Sequence, residues 1–460
     1  MAGKDQDRSA EVDALLRDVW CSVLGVAEPT EFFADGGDSL DAAEIATRTS
    51  TAIAHDLPVD LVLDEPDFDS CVRLIESHLG SHGSPALLEK AAGQRSLQQQ
   101  GLDAIRSRVG VHGYRHRLVI NLGRPLTDVE MLSLHRGLRS HAALRSMELG
   151  LDEPHADADH VAEPRLPRLW QVPDETGAPA VWIEADQRDL DHPSLDILAD
   201  LVADFARDDA VGPAPVGRDY DAYIVQQQSE LAARGEDRVL ASWAEELAVA
   251  PRASGNALSP DDDDAWSEAE SILTRLDLNR WELENLARRW RVTPFSLLLA
   301  AFRYAVWNVV GREPFIVCSG TRNRPVGYER TLGCFASAEV FCCTWDRGSS
   351  LQAEARRVQK EQGRARERAV LPMDYALERI GRSGCCQMKF TYRPEEGRSE
   401  AIWRLAPSSR KEARRDLSVE VVASDCLSVV ASFRSARIAP EAIVPVLDAW
   451  ADMISAEGAR

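Results

Sequence analysis

Apolar residues recur at helical spacing through residues 11–24, EVDALLRDVWCSVL, where Val12, Leu15, Leu16, Val19, Trp20 and Val23 share one face. A long loop follows, and then a second helix is expected from about Ser39 to Ile53. LPVDLVLDEP is a short turn-rich segment, and DFDSCVRLIESHL makes a last helix, so a compact helical bundle ends near Leu79. Gly, Ser and Pro in GSHGSPALLEKAAGQRS mark a linker. Beyond it the period changes. RHRLVINLG, APAVWIEA, SILTRLDL, PFIVCSG, EVFCCTW, CQMKFTY and LSVVASF have the pattern of strands. Helices are expected at 127–139, 194–206, 278–290, 293–310, 349–366 and 440–456. These elements alternate without the regularity of a doubly wound sheet, and there is no internal repeat.

At 460 residues the chain is too long for one ordinary core, so two or more domains are expected. With 44% hydrophobic and 28% charged residues it reads as globular and soluble. No apolar run reaches membrane-spanning length, and MAGKDQDRSAEVD lacks the apolar core of a signal peptide, so a cytoplasmic protein with no membrane partner is expected. A net charge of -22 would repel a polyanion and argues against nucleic acid. The acid is unevenly spread: residues 1–90 hold 19 Asp and Glu against 6 Lys and Arg. A small acidic module is thus joined to a larger one nearer balance, and such modules use charge to choose partners. The tract SPDDDDAW (Ser259–Trp266) reads as a solvated loop. Nine cysteines include no CxxC, and the adjacent pairs Cys342-Cys343 and Cys385-Cys386 fall in apolar, strand-like segments, so buried reduced thiols are expected and no metal site. His135 and His141 read as structural.

One string calls for chemistry: FFADGGDSL, Phe32–Leu40. Asp38 or Ser39 at a helix start can cap free backbone N–H groups, the two glycines allow a tight turn, and Phe32 and Phe33 pin the loop to the bundle. On helix logic alone Ser39 is a cap. The whole string, forty residues in and after one amphipathic helix, resembles the attachment motif of peptidyl carrier proteins, the thiolation domains of nonribosomal peptide synthetases. The resemblance covers residues 8–80. It implies that a phosphopantetheinyl transferase joins 4′-phosphopantetheine to the Ser39 hydroxyl, whose thiol then carries an aminoacyl or peptidyl thioester. It also implies that Asp38 and Leu40 help partners read the following helix. A phosphodiester at a helix N-terminus is electrostatically favoured, and a tethered substrate gains effective concentration.

The remainder, residues 96–456 after a linker at 81–95, resembles condensation domains at several separated places. These are SLQQQGL (Ser96–Leu102), SHAALRS (Ser140–Ser146), the helical WRVTPFSLLLAAFRYAVWNVVG, GTRNRP followed by LGCFASAEV, and VLPMDYAL. The fold class that follows is an all-α four-helix carrier bundle and then an α+β, two-lobed, chloramphenicol-acetyltransferase-like condensation fold. Its N-lobe would span about 96–250 and its C-lobe about 265–456, with a tunnel between them.

In that family the centre is a His-His-x-x-x-Asp-Gly motif at a strand end, followed by a helix. The matching stretch is VWIEADQRDLDHPSLDIL. Asp186 and Gln187 stand at the two histidine positions, Asp191 keeps the aspartate, and His192 replaces the glycine. A rival register puts Asp191-His192 on the histidine pair and Asp196 on the aspartate, but it forces the charged DQRDL to be the buried strand; the first register is preferred. Gln187 cannot exchange a proton near neutral pH, though it still hydrogen-bonds. Asp186 should point away from the face that residue 187 occupies, and an ordinary aspartate is a feeble base. The resemblance makes Asp191 structural, paired with an arginine of the other lobe at Arg322. The loss of both histidines suggests a carrier whose companion domain presents substrate without His-dependent catalysis. The alternative is an active amide-forming condensation enzyme with a non-standard site, since proximity alone supplies much acceleration. Implied partners are the transferase, a separate adenylating enzyme, and neighbouring synthetase modules or tailoring enzymes.

Overall fold

The computed structural model describes residues 2–35, 37, 39–53, 61–80, 94–109, 114–150, 166–174, 176–208, 218–249, 258, 266–311, 313–321, 323–325, 327–345, 348–394, 403–405, 412–423 and 426–458. Most of the expected linker, the acidic run 259–265, Asp38 and Arg322 lie outside the described residues.

The first eighty residues form helices α1 (Ala2–Leu24), α2 (Ser39–Ile53), α3 (Leu61–Asp64) and α4 (Phe68–Gly80). Val12, Leu16, Val19 and Trp20 make the buried stripe of α1, and they meet Phe32, Ile45, Leu61, Phe68 and Ile75 in one cluster. Trp20 is the hub, with the rings of Phe32 and Phe68 edge-on at 5.7 and 5.5 Å. Burying each such ring contributes about 1.5–3 kcal/mol.

The larger part begins with α5 (Leu97–Val109), β1 (Arg115–Asn121) and α6 (Asp128–Leu138), then β2 (Glu148–Leu149), β3 (Arg168–Pro173), β4 (Pro179–Asp186) and α7 (His192–Asp208). Thr127 and Glu130 close α6 with a reciprocal capping box. Next come α8 (Tyr220–Arg234), α9 (Glu236–Ala248), β5 (Ser267–Leu276), α10 (Arg280–Trp290), α11 (Pro294–Val309), β6 (Phe315–Thr321) and β7 (Ser337–Cys343). The chain ends with α12 (Leu351–Arg368), α13 (Met373–Arg379), β8 (Met388–Pro394), β9 (Trp403–Leu405), β10 (Glu412–Ala413), β11 (Leu417–Ala423), β12 (Leu427–Arg434) and α14 (Pro440–Gly458).

Two sheets result. The first has the order β2-β3-β4-β1-β9, and the second the order β10-β5-β12-β11-β8-β6-β7. Leu118, Ile120, Val181 and Ile183 of the first pack under Leu134, Leu138, Leu198 and Val202 of α6 and α7. In the second, strict alternation sends Leu417, Val419, Val421 and Ala423 of β11 and Leu427, Val429, Ala431 and Phe433 of β12 into one core beneath α11 and α14. Helix α11 is almost wholly buried there, started by the Thr293 cap and Pro294. Among the described residues no single helix is long and apolar enough to cross a membrane.

The structure adds elements absent from the sequence expectations. Helices α8 and α9 bury Tyr220, Tyr223, Ile224 and Gln227, then Val239, Trp243 and Leu247, stripes too aromatic and polar to stand out. Strands β3 and β11 also go beyond the expected set, although β11 alternates as cleanly as β12. Cys385 and Cys386 precede β8 rather than lie within it, and all nine cysteines are free thiols, seven of them buried. The division into lobes is not sequential either: Leu118–Ile120 pair with 403–405, so a strand from the C-terminal half completes the first sheet.

Candidate functional site

Two places bear on chemistry. In the helical bundle, the loop before Ser39 is held by short-range bonds. Asp35 accepts from Trp20 Nε1 at 2.9 Å and from Thr30 N and Oγ1 at 2.8 and 2.6 Å. Burial pushes its carboxyl up, but these three bonds outweigh it and hold the group below the usual range. The Gly37 N–H donates to the Phe32 carbonyl at 2.9 Å, and a Cβ on Gly37 would stand 2.3 Å from the Phe32 ring. Only glycine fits, and the chain leaves it to enter α2 at Ser39. A hydroxyl residue thus stands at the positive end of a fifteen-residue helix, which suits a phosphodiester. Leu40 follows it in the first turn.

The second place lies where strand β4 ends. Asp186 is its last residue, 1% exposed, and is ion-paired with Arg106 of α5 and with Arg188 Nε at 3.1 Å. It is therefore spent on tying β4 to α5. Gln187, next along, joins the lining of a cavity of about 380 Å³ over the seven-stranded sheet, with Gln98, Tyr114, Ser337, Lys389 and Arg414 among the other walls. The alternation across a strand explains why neighbours 186 and 187 part company. Asp189, in the turn, has its carboxyl pushed up to about 7 by burial first and then by the charge of Asp186, against Arg188, Arg106 and Arg95. His116, opposite Ala185, is lowered to about 4 by burial and by His192.

Asp191 is fully buried and its carboxylate is saturated. Arg324 Nη1 and Nη2 each lie 2.9 Å from one oxygen, the Ser194 N–H donates at 3.0 Å, and the Phe335 and Ala336 N–H groups donate at 3.1 and 3.0 Å. Among the described residues the arginine that holds Asp191 is Arg324; the expected partner, Arg322, lies outside them. Thr321 ends β6, and Asn323, just before Arg324, takes a positive φ of 44°. His192 opens α7 on the exposed side and is not among the cavity's lining residues. Asp196 lies further along α7 and is likewise not in the lining.

His135 Nε2 donates to the Met147 carbonyl, 2.8 Å away, and His141 is buried beside α6. Among the described residues no three His, Cys, Asp or Glu are arranged to hold a metal. What sequence reasoning missed is the cavity's other wall: Lys389, Arg414 and Arg415 come from β8 and the approach to β11, with no motif to announce them.

Comparison with known proteins agrees with this architecture. Residues 14–75 match the phosphopantetheine attachment site family. Cyclosporin synthetase simA of Tolypocladium inflatum is 24% identical over 381 residues, 72% of this chain, which spans 2% of that protein's length. Among solved structures, the X-domain from teicoplanin biosynthesis superposes with a TM-score of 0.64 at 13% identity, covering 83% of this chain and 98% of that one. A complex of that X-domain with OxyB is similar too, with a TM-score of 0.58 at 14% identity over 82% and 97% of the two chains. The condensation domain of the monacolin K polyketide synthase MokA superposes with a TM-score of 0.60 at 13% identity, over 80% and 97%. Residues 14–75 are a phosphopantetheine-attachment domain, which implies a covalently attached 4′-phosphopantetheine, and the chain beyond it has the fold of a condensation domain.

Proposed function

We propose that this chain is a carrier-condensation component of a nonribosomal peptide pathway. Ser39 carries the pantetheine arm, Asp38 and Leu40 contribute to recognition by partners, and a separate adenylating enzyme loads an aminoacyl or peptidyl group onto the thiol of this cytoplasmic protein. The condensation-like part presents that group to neighbouring synthetase modules or to a tailoring enzyme rather than acting as a His-dependent catalyst. One observation carries the reading: an attachment domain containing Ser39 is followed by a condensation fold whose cavity is lined by Gln187 where a general base would stand. A glutamine side chain accepts and donates hydrogen bonds but takes no proton near neutral pH. Asp186 does not replace it, being consumed by Arg106 and Arg188. The teicoplanin X-domain, described in complex with OxyB, lends the docking of a tailoring enzyme its support.

A second reading, amide formation by a non-standard site, is favoured by the cavity itself, which is lined by the seven-stranded sheet and by Tyr114 and Gln187 next to β1 and β4. Thioester aminolysis there would rely on proximity.

The test begins with intact-protein mass after incubation with a phosphopantetheinyl transferase and coenzyme A. One pantetheinyl group should appear on the native chain and none on Ser39→Ala. The loaded protein is then offered an acceptor amine. Release of thioester at the buffer rate supports presentation; enzyme-like amide formation abolished by cavity substitutions overturns it in favour of the second reading.

A further inference from the structure

The floor of the cavity is the open face of the seven-stranded sheet, and its residues fall in register. Cys318 of β6 stands beside Lys389 of β8, Lys389 beside Ser418 of β11, and Ser418 beside Ser432 of β12. All four line the cavity. Strand alternation fixes this arrangement, because Met388 and Phe390 on either side of Lys389 enter the apolar core. The neighbours are small. Gly320 offers no side chain, and the nearest atom to where its Cβ would be is Lys389 Cε at 4.0 Å. The ammonium is therefore exposed in the middle of a sheet, on a central strand, in a space walled by protein. Among the described residues Lys389 makes no ion pair. An apolar residue would serve the packing of this face better than a lysine, whose side-chain entropy and desolvation count against it.

From this geometry we propose that the cavity recognises a carboxylate, and that Lys389, beside the Ser418 hydroxyl, selects substrates bearing one. This rests on the reading that the cavity receives carrier-borne groups or their acceptors. The charge balance agrees: Lys389, Arg414 and Arg415 face Asp374 and Glu412, and Arg414 lies 3.7 Å from Asp374. Arg415 donates to the Cys386 carbonyl. The buried Cys318 thiol reports the local potential. Burial pushes it up, yet the Cys386 thiol and the charges of Arg415, Lys389 and Arg414 pull it down to about 6. Those three cations act on a bound carboxylate in the same direction. A charged hydrogen-bonded pair is stronger than a neutral one. The carboxylate could be borne by the acyl group of the thioester or by the incoming amine, and the two sources are separable.

Binding of small probes to the full chain tests the idea without the pantetheine arm. In the first arm, succinyl-N-acetylcysteamine is titrated against butyryl-N-acetylcysteamine by calorimetry at about 0.15 M salt. In the second, β-alanine is compared with its primary amide. The acidic member of at least one pair should bind about tenfold tighter or more. Lys389→Met and Lys389→Gln should each remove that preference while leaving the neutral probe within about twofold, and Lys389→Arg should retain it. Melting curves confirm that the variants fold, and two substitutions of different polarity keep the comparison valid if one does not. Equal affinity within both pairs, no measurable binding of either acidic probe, or a preference that survives the loss of Lys389 overturns the proposal. Failure of the transferase to modify Ser39 would instead count against the carrier reading and leave this result standing.

Discussion

Arg324 holds Asp191 with both guanidinium ends, each at 2.9 Å, and so ties the segment that enters α7 to the turn after β6. The same carboxylate accepts from the backbone of Phe335 and Ala336 just ahead of β7. One aspartate therefore fastens the two sheets together, and Arg324 also stacks over the Phe335 ring at 4.4 Å.

Removing the cation should show this. Arg324→Met leaves a buried carboxylate without its counter-charge, and the loss is expected to be about 3–5 kcal/mol. Denaturant unfolding of the full chain should register it in the transition of the larger part. A loss below about 1 kcal/mol would mean that the backbone donors alone satisfy Asp191.

Gly37→Ala should damage the carrier locally. Its Cβ would lie 2.3 Å from a Phe32 ring that is itself fully buried, so either the ring or the loop must move. About 1–3 kcal/mol of destabilisation is expected, together with slower attachment of the pantetheine arm, read by mass in a time course. An unchanged attachment rate would separate the loop's packing from Ser39's availability.

Gln187 decides between presentation and catalysis. Gln187→Ala should leave arm attachment, loading and thioester lifetime unchanged. Gln187→His restores a proton acceptor to the cavity wall, and single-turnover aminolysis should rise towards the 10²–10⁴-fold typical of general-base help. If the native protein already forms amide as fast as the histidine variant, and the alanine variant is slower, Gln187 itself is part of a working site.

Two perturbed groups beside the β4 turn predict an unusual pH response. The Asp189 carboxyl, raised to about 7, keeps a proton in the folded state that the unfolded chain loses near ~3.9. Its ionisation therefore costs stability progressively as pH rises from about 4 to 7, and the cost is constant above that. His116, lowered to about 4, acts the other way: its contribution is complete above ~6.5 and is lost as pH falls towards 4. The slopes oppose each other in the native protein. Asp189→Asn should stabilise by roughly 1–3 kcal/mol at pH 8 and by nothing at pH 4, so its melting temperature should climb more steeply between these limits. A parallel shift at every pH would show that the substitution acts through packing instead.

The helical periods of α1, α2 and α4, the apolar runs of β1, β4 and β6, the alternation of β12 and the amphipathic α7 and α14 were all legible because each has a dominant apolar stripe or run. Where the stripe carries Tyr223 and Gln227, as in α8, periodicity gave no signal, since those side chains are buried through hydrogen bonds to each other, to Gln98 and to the Leu97 N–H, the last two more than 120 positions away. The strand at 403–405 is too short to read locally and exists only because β1 offers it an edge.

Residue order alone set the local chemistry: a serine after two glycines at a helix start, and a strand end bearing Asp186 and Gln187 where a histidine pair could have stood. Contacts a few residues long fix such features, so they survive in the linear text. Packing determined which arginine reaches Asp191, that Asp186 is bound to Arg106, and that Lys389 meets Gln187 across a shared cavity. Those pairings join residues up to 202 positions apart, and at that separation only the stacking of two sheets, each completed by strands from distant segments, brings side chains within bonding or lining distance.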